Sequence, residues 1–340
     1  MVIQRVKHKV PVSTILFGLA IVTILASWLE IFPREWVEKL YSRGVFPTIS
    51  HGFALLSDLL PVSWLDFWIP GCVALLIYVL YRRRWRALVG VASVFYLWFF
   101  WGWGLNYHRP LVSERLQLER RQIETEEYDR FETTALEQLN RLRPLAAQAP
   151  LDRPAASAMA FDRVQRVVFT IDGTDWPITH RVKRSLFLEP WYVRAGIDGM
   201  FNPFGHEPLV IQGPLPFELP FVMSHEIAHA RGIANEGEAN LVALLATVAS
   251  ADPRFQYSGW LEVWRYFYMP AEQRLDPGVL ADLEAIDERL RAKQVRLISR
   301  LQTAMLDAHL KANAVPGGIR SYSDFIALAI ISQPRWKEFQ

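Results

Sequence analysis

The sequence predicts a mainly α-helical protein: a three-helix N-terminal transmembrane region followed by a globular helical part with a small β element. Two observations lead there. Three long apolar runs crowd into residues 1–105, and the rest of the chain alternates apolar and charged residues as a water-facing fold does. Residues 1–105 hold ten Lys/Arg and five Asp/Glu, whereas the remainder holds 27 and 30, so the first third is apolar and basic. A formal net charge of +2 over 340 residues supplies no global basic field, and no nucleic-acid partner is expected. The single cysteine, Cys72, excludes an intramolecular disulfide framework and any multi-cysteine metal site.

The first run, residues 10–29, is 20 residues without a formal charge, enough to cross a bilayer core of ~30 Å at 1.5 Å per residue. A cleaved signal peptide is the competing reading, since Arg5, Lys7 and Lys9 precede it. The run is long for that, lacks a small-x-small cleavage site, and is followed by further apolar runs. The second run, 67–81, is 15 residues and is extended by Trp64 and the Arg82-Arg83-Arg84 cluster, whose long side chains reach the interface. The third, 87–105, ends in YLWFFWGWGL, an aromatic belt of the kind found at a membrane surface. None of the three shows the polar stripe of a soluble core helix. No charge interrupts them, which argues against a transporter.

Positive charge sets the orientation. The basic N-terminus and the RRRWR segment (82–86) belong on the cytoplasmic side. Three spans starting inside then leave residues 106–340 on the extracytoplasmic face of the inner (cell) membrane. Segment 53–62 is apolar but too short to cross and is expected at the interface.

Beyond the membrane, 106–157 reads as a helical connector. It has polar helices near 111–122 and 124–142, the latter with Phe131, Leu136, Leu139 and Leu142 at helical spacing, and a Pro/Ala-rich linker over 144–157. Residues 161–172 fit either a helix end or a short strand. One strand is expected at 207–212, then helices at 220–231, 236–250, 258–268, 277–312 and 321–332.

The chemistry lies in His225-Glu226-Ile227-Ala228-His229, an H-E-x-x-H motif. Residues four apart share a helix face, so both imidazoles reach one metal, while Glu226 sits beside that face as a general base for water. Pro220 suits the first turn of such a helix and Gly232 its left-handed stop. The helix is otherwise mostly apolar, and three adjacent polar groups there need a reason that a metal supplies. A catalytic zinc takes three protein ligands and keeps a fourth position open.

Asn235, Glu236 and Glu238 compete for the third place. Asn235 is better explained as the N-cap of the next helix, and Glu238 stands where a capping-box glutamate would. Glu236 shares a face with Asn240, Ala243 and Thr247, a stripe of small residues that would let this helix approach the motif helix. Glu236 is therefore the expected ligand, with Glu238 as the alternative. Asn240, one turn on, is expected to hydrogen-bond a ligand histidine. Tyr322, Arg320 and His206 are the candidate oxyanion donors, Tyr322 first. His51, His108, His180 and His309 carry no spacing signal.

These residues resemble the gluzincins, metallopeptidases whose zinc is held by H-E-x-x-H and a glutamate in a following E-x-x-x-D; Glu236–Asn240 matches with Asn in place of Asp. More closely, nearly the whole chain resembles a bacterial integral-membrane family catalogued as a domain of unknown function. Trp103, Asn106-Tyr107 and Arg109, Phe201-Asn202-Pro203-Phe204, Pro220 to His229, Glu236 to Asn240, Tyr257-Ser258-Gly259 and Gly318 to Tyr322 carry that likeness. The resemblance implies a zincin-like α+β metallopeptidase domain over 158–340 that binds Zn²⁺ and cuts peptide or protein at the membrane surface, with the lipid bilayer as its other partner. Two rival functions keep the metal. One is a catalytically idle zinc protein acting as an envelope scaffold or sensor; the other is a metal-dependent amidase acting on cell-wall peptides.

Overall fold

The computed structural model describes residues 10–149, 151–176, 181–267, 274–313, 315 and 324–340. In chain order the helices are α1 (Val12–Trp28), α2 (Arg34–Trp36), a π-helical segment Val37–Val45, α3 (Phe46–Ser57), α4 (Leu65–Tyr81), α5 (Trp85–Gly102) and a 3-10 segment Gly104–His108. There follow α6 (Val112–Arg115), α7 (Thr125–Ala146), α8 (Arg153–Asp172), α9 (Glu189–Ala195), α10 (Leu219–Ala230), α11 (Glu236–Val248) and α12 (Pro253–Arg265). The chain closes with α13 (Pro277–Lys293), α14 (Arg296–Ala312), α15 (Phe325–Ser332) and a 3-10 segment Gln333–Phe339. Between α9 and α10, β1 (Gly199–Asn202) and β2 (Glu207–Val210) form an antiparallel pair in the register Gly199↔Val210 to Asn202↔Glu207.

The protein is mainly α. Among the described residues one helix, α5, has the length and apolar composition to cross a membrane; α1 and α4 are equally apolar in character but 17 residues long. All three turn large apolar side chains outward, such as Val22 (63% exposed) on α1 and Ile77 (61%) on α4.

Below these helices the core is continuous. Val37, Tyr41 and Phe46 before and in α3, and Phe99, Phe100 and Trp103 at the end of α5, pack with Val164 and Val167 of α8, Ile227 of α10 and Leu241 of α11. Helix α11 is buried along almost its whole length. Its opposite side, through Ala243 and Leu244, meets a second cluster built from α7, α12, α13 and α15. Residues 30–63 therefore share a packed core with the described residues beyond Trp103. Two buried polar networks fasten the join. Glu207 accepts from the Ser57 and Ser63 hydroxyls (2.6 and 2.8 Å), Asn202 Nδ2 (2.8 Å) and Lys183 Nζ (3.1 Å). Arg109 binds Glu38 (2.8 Å) and Asp172 (3.3 Å).

Several elements depart from expectation. Instead of a helix over 111–122, α6 is four residues: its first N–H groups are taken by Glu238, and Gln117 adopts φ +54° and stops it. The expected linker is short, because Pro144 completes the last turn of α7 and Asp152 caps α8 through the Ala155 N–H (2.8 Å). A boundary at 157/158 thus falls inside α8, which also settles residues 161–172 as helix. The single helix expected over 277–312 breaks at Gln294, where the Val295 N–H leaves the helix to donate to Arg194 O (2.8 Å). Strand β1 had no recognised signal in the sequence. Segment 53–62 is half helix: Ala54 and Ser57 of α3 are buried, whereas Leu55, Leu56 and Leu59 face outward.

Candidate metal centre

Helix α10 forms as the sequence requires. Pro220 occupies its first turn, and Gly232, at φ +76°, ends it, with the Ile233 N–H returning to Ala228 O (3.1 Å). A β-carbon at Gly232 would also press on Asn106 Oδ1 at 2.9 Å. Helix α11 starts at Glu236, with Asn235 as N-cap accepting from the Glu238 N–H (3.1 Å). The short connection sets the first turn of α11 beside the last turn of α10.

This arrangement brings together His225, His229 and Glu236. His225 Nε2 and His229 Nε2 are 3.0 Å apart, and each lies 3.2 Å from Glu236 Oε2. Four-coordinate zinc with bonds of roughly 2.0–2.1 Å holds its ligand atoms about 3.3 Å from one another, so the triangle matches one face of such a tetrahedron. The donor chemistry agrees. His229 Nδ1 lies 2.7 Å from the Ile233 carbonyl oxygen, which only accepts, so Nδ1 carries the proton and the Nε2 lone pair faces the centre. Two imidazole nitrogens and a carboxylate oxygen converging on one point fit a divalent cation of the zinc type.

Without a metal the charges at this centre act on one another. Burial alone would lower His229, but the Glu236 carboxylate beside it pushes it up to about 9. Burial raises Glu236, yet His229 and His225 hold it well below the usual carboxylate range. Glu226 is buried, and desolvation pushes it up to about 7 against the pull of both histidines. Its Oε2 has no hydrogen-bond partner among the described residues. The carboxylate lies flat on β1: a β-carbon built at Gly199 would stand 2.5 Å from Glu226 Oε1 and 2.8 Å from its Cγ. A glycine inside a strand, as at Gly199, is the sequence signal for such a close approach.

Glu238 is elsewhere. It is buried on the far side of α11, where it accepts from the Val112 N–H (2.7 Å), the Ser113 N–H (3.2 Å) and the Ser113 hydroxyl (3.1 Å), and pairs with Arg120 (3.4 Å). Its job is to cap α6, because residues two apart on a helix point about 200° away from each other. Asn240 does not touch a ligand histidine either; its amide donates to the Tyr266 hydroxyl (3.1 Å), and the partner of His229 is the Ile233 carbonyl. Thr247, at the far end of the small-residue stripe, turns toward α12, since a β-carbon at Gly259 would overlap it.

Of the expected oxyanion donors, Tyr322 and Arg320 lie outside the described residues. His206 is fully buried in an aromatic cage, stacked on Phe53 at 4.8 Å and flanked by Phe46 and Phe201, with neither ring nitrogen hydrogen-bonded among the described residues. That burial pushes it down to about 3, and its ring faces the cage. Beyond the ligands and Glu226, the polar groups that feel the Glu236 charge include Tyr107, whose hydroxyl burial and then Glu236 push up, His309, 3.4 Å from that hydroxyl, and Tyr266.

The residues at the exit from α5 hold the centre from behind. The Trp103 indole N–H donates to His229 O (3.0 Å), and Arg109 donates to Gly232 O (3.1 Å). The C-terminal end of α10 is thus tied to the end of the longest apolar helix. Strand β2 is not a free edge: β1 covers one side, and Lys183 bridges to it in parallel on the other, its N–H donating to Pro208 O (2.9 Å). Among the described residues the open edge is that of β1, which carries Gly199 and Glu226 beside it.

A family model described as a protein of unknown function (DUF3810) matches residues 41–330. No curated protein and no solved structure matches the chain.

Proposed function

The chain belongs to the DUF3810 family, and we propose that it is a zinc-dependent peptidase anchored in the membrane by α1, α4 and α5. The ligands are His225, His229 and Glu236, and Glu226 is the general base. The observation that carries this reading is the triangle of donor atoms with edges of 3.0, 3.2 and 3.2 Å beside a buried carboxylate that has an unpartnered oxygen. A zinc ion held there supplies Lewis acidity toward the scissile carbonyl and lets water ionise near neutral pH. Glu226 takes the proton of the attacking water and delivers it to the leaving amine nitrogen. The Ile233 carbonyl keeps the His229 tautomer fixed. Tyr107 and His309 are, among the described residues, the donors for the developing oxyanion. An extended peptide pairs with the open edge of β1, which sets its carbonyl against Glu226.

The membrane part of the reading rests on α5 as a span and on α1 and α4 as shorter companions extended by Trp64, the arginines of 82–86 and residues flanking α1. Residues 30–63 pack with the described residues beyond Trp103, so both belong on one face, while the RRRWR turn between α4 and α5 lies at the opposite, cytoplasmic end.

The test is Glu226→Gln beside His225→Ala, in protein reconstituted into vesicles and given a proteome-derived peptide library read by mass spectrometry. Glu226→Gln should keep one zinc per chain and lose about 10²–10⁴-fold in cleavage rate, the usual worth of a positioned base; His225→Ala should lose the metal. Cleavage by Glu226→Gln at the wild-type rate refutes the mechanism. A wild type that binds zinc and cuts neither peptides nor cell-wall fragments is the idle scaffold.

A further inference from the structure

Helix α14 is poorly packed for its length. Of its residues Arg296–Ala312 only Leu310 is buried, and Leu297, Leu301 and Met305 are 68, 51 and 65% exposed. Spaced four apart, these three form one apolar stripe. The ends of the helix are held in informative places. At its start the Val295 N–H donates to Arg194 O of α9, and the segment leading into α9 hangs from α4: the N–H groups of Leu186 and Phe187 donate to Asp66 in the first turn of α4 (2.7 and 3.1 Å). Leu186 and Phe187 are themselves 52 and 68% exposed. At its end His309 packs edge-on against Phe99 near the C-terminus of α5 (5.5 Å) and reaches the Tyr107 hydroxyl. The start of α4 and the end of α5 lie at the same end of an antiparallel pair, joined by Trp68 against Trp98 (4.5 Å). A helix of about 25 Å slung between those two points lies across the mouth of the pair.

We propose that α14 is an interfacial helix whose Leu297–Leu301–Met305 stripe rests in the headgroup–acyl boundary of the bilayer that α4 and α5 enter, with Leu186 and Phe187 seated beside it. The inference rests on the membrane reading given under Proposed function and deepens it: the metal centre then opens at the lipid surface, with α14 as its roof. Continuity with α4 and α5 identifies the occupant as lipid. The exposed Arg296, Arg300 and Lys311 suit the anionic headgroups an amphipathic surface helix attracts.

The experiment places a nitroxide at Leu301→Cys and at Met305→Cys in a Cys72→Ser background, in vesicles of phosphatidylethanolamine and phosphatidylglycerol. It compares collisions with lipid-soluble oxygen and with a water-soluble nickel chelate. Ile77→Cys on α4 and Glu137→Cys on α7 give the lipid and water references. The expected result is an oxygen-to-chelate ratio at 301 and 305 several-fold above that at 137 and close to that at 77. A ratio like that at 137 overturns the proposal, as does low access to both reagents, which marks a protein contact. If the label at 77 is itself chelate-accessible, the anchoring by α4 fails first. The readout needs neither zinc nor turnover.

Discussion

Gly199→Ala separates the position of the general base from the presence of the metal. The new β-carbon would lie 2.5, 2.8 and 2.9 Å from Oε1, Cγ and Cδ of Glu226, against an ordinary contact of 3.4 Å or more. Three atoms of one carboxylate arm are too close at once, so the group must retreat by roughly 0.5–1 Å or the strand must move with it. A misplacement of ~1 Å in a reacting group costs about 10²-fold in rate, equivalent to roughly 2.7 kcal/mol of barrier. The backbone at 199 needs no glycine, since Gly173, Gly196 and Gly232 are the positive-φ glycines among the described residues. The strand itself should gain a few tenths of a kcal/mol from alanine. The three atoms nearest the new β-carbon all belong to Glu226 and none to a metal ligand. The expected variant therefore holds one zinc per chain, unfolds within about 1 kcal/mol of wild type, and cleaves the peptide library about 10²-fold more slowly. Zinc is read by elemental analysis, stability by denaturant titration in detergent, and rate by mass spectrometry. Wild-type cleavage with alanine in place would show that Glu226 does not act from against β1. Loss of zinc would show that the clash is relieved through α10 and the ligands.

Three further outcomes follow from the buried groups. Glu236→Gln should abolish stoichiometric zinc, whereas Glu238→Ala should keep it and lower stability by about 3 kcal/mol, because the Val112 and Ser113 N–H groups lose their acceptor; elemental analysis and denaturant unfolding distinguish the two. Lys183→Met strands the Glu207 carboxylate, 1% exposed, and should cost about 3 kcal/mol. The double variant with Glu207→Gln should lose less than the two singles added, a coupling that a double-mutant cycle reads directly. His206, pushed down to about 3 by burial, is neutral when folded, while the unfolded chain takes up a proton below about pH 6.5. Its contribution to stability is complete above pH 6.5 and is lost as pH falls toward 3, about 2 kcal/mol by pH 5. His206→Asn, which tolerates the φ of +52°, should flatten that part of the stability–pH profile; an unchanged slope would place the acid sensitivity elsewhere.

Local chemistry made α10 and α11 legible. Pro220, Gly232 and Asn235 mark ends by rules that act within one turn, and the i, i+4 spacing of His225 and His229 places both rings on one face whatever surrounds them. The stripe of small residues beside Glu236 predicts a contact with α10 that holds for only part of its length. The face carrying Glu236 meets α10 at its first turn, but about three turns later Thr247 lies against Gly259 of α12, because a straight helix crossing another touches it over a turn or two. The apolar runs were equally plain, since charge-free stretches of such length need no partner to be recognised.

Other features depend on what lies across the fold, and no local pattern announces them. Glu238 follows α6 because two orphan N–H groups more than 120 residues away in sequence required an acceptor. The tautomer of His229 depends on a carbonyl in the turn beyond its helix, and Asn240 answers to Tyr266 on α12. Gly199 matters only because Glu226 lies on it. Helix ends, faces and apolar length are short-range properties carried by neighbouring residues. Which acceptor satisfies a buried donor, and which backbone a side chain rests against, is decided by packing, where desolvation penalises every polar group left without its partner.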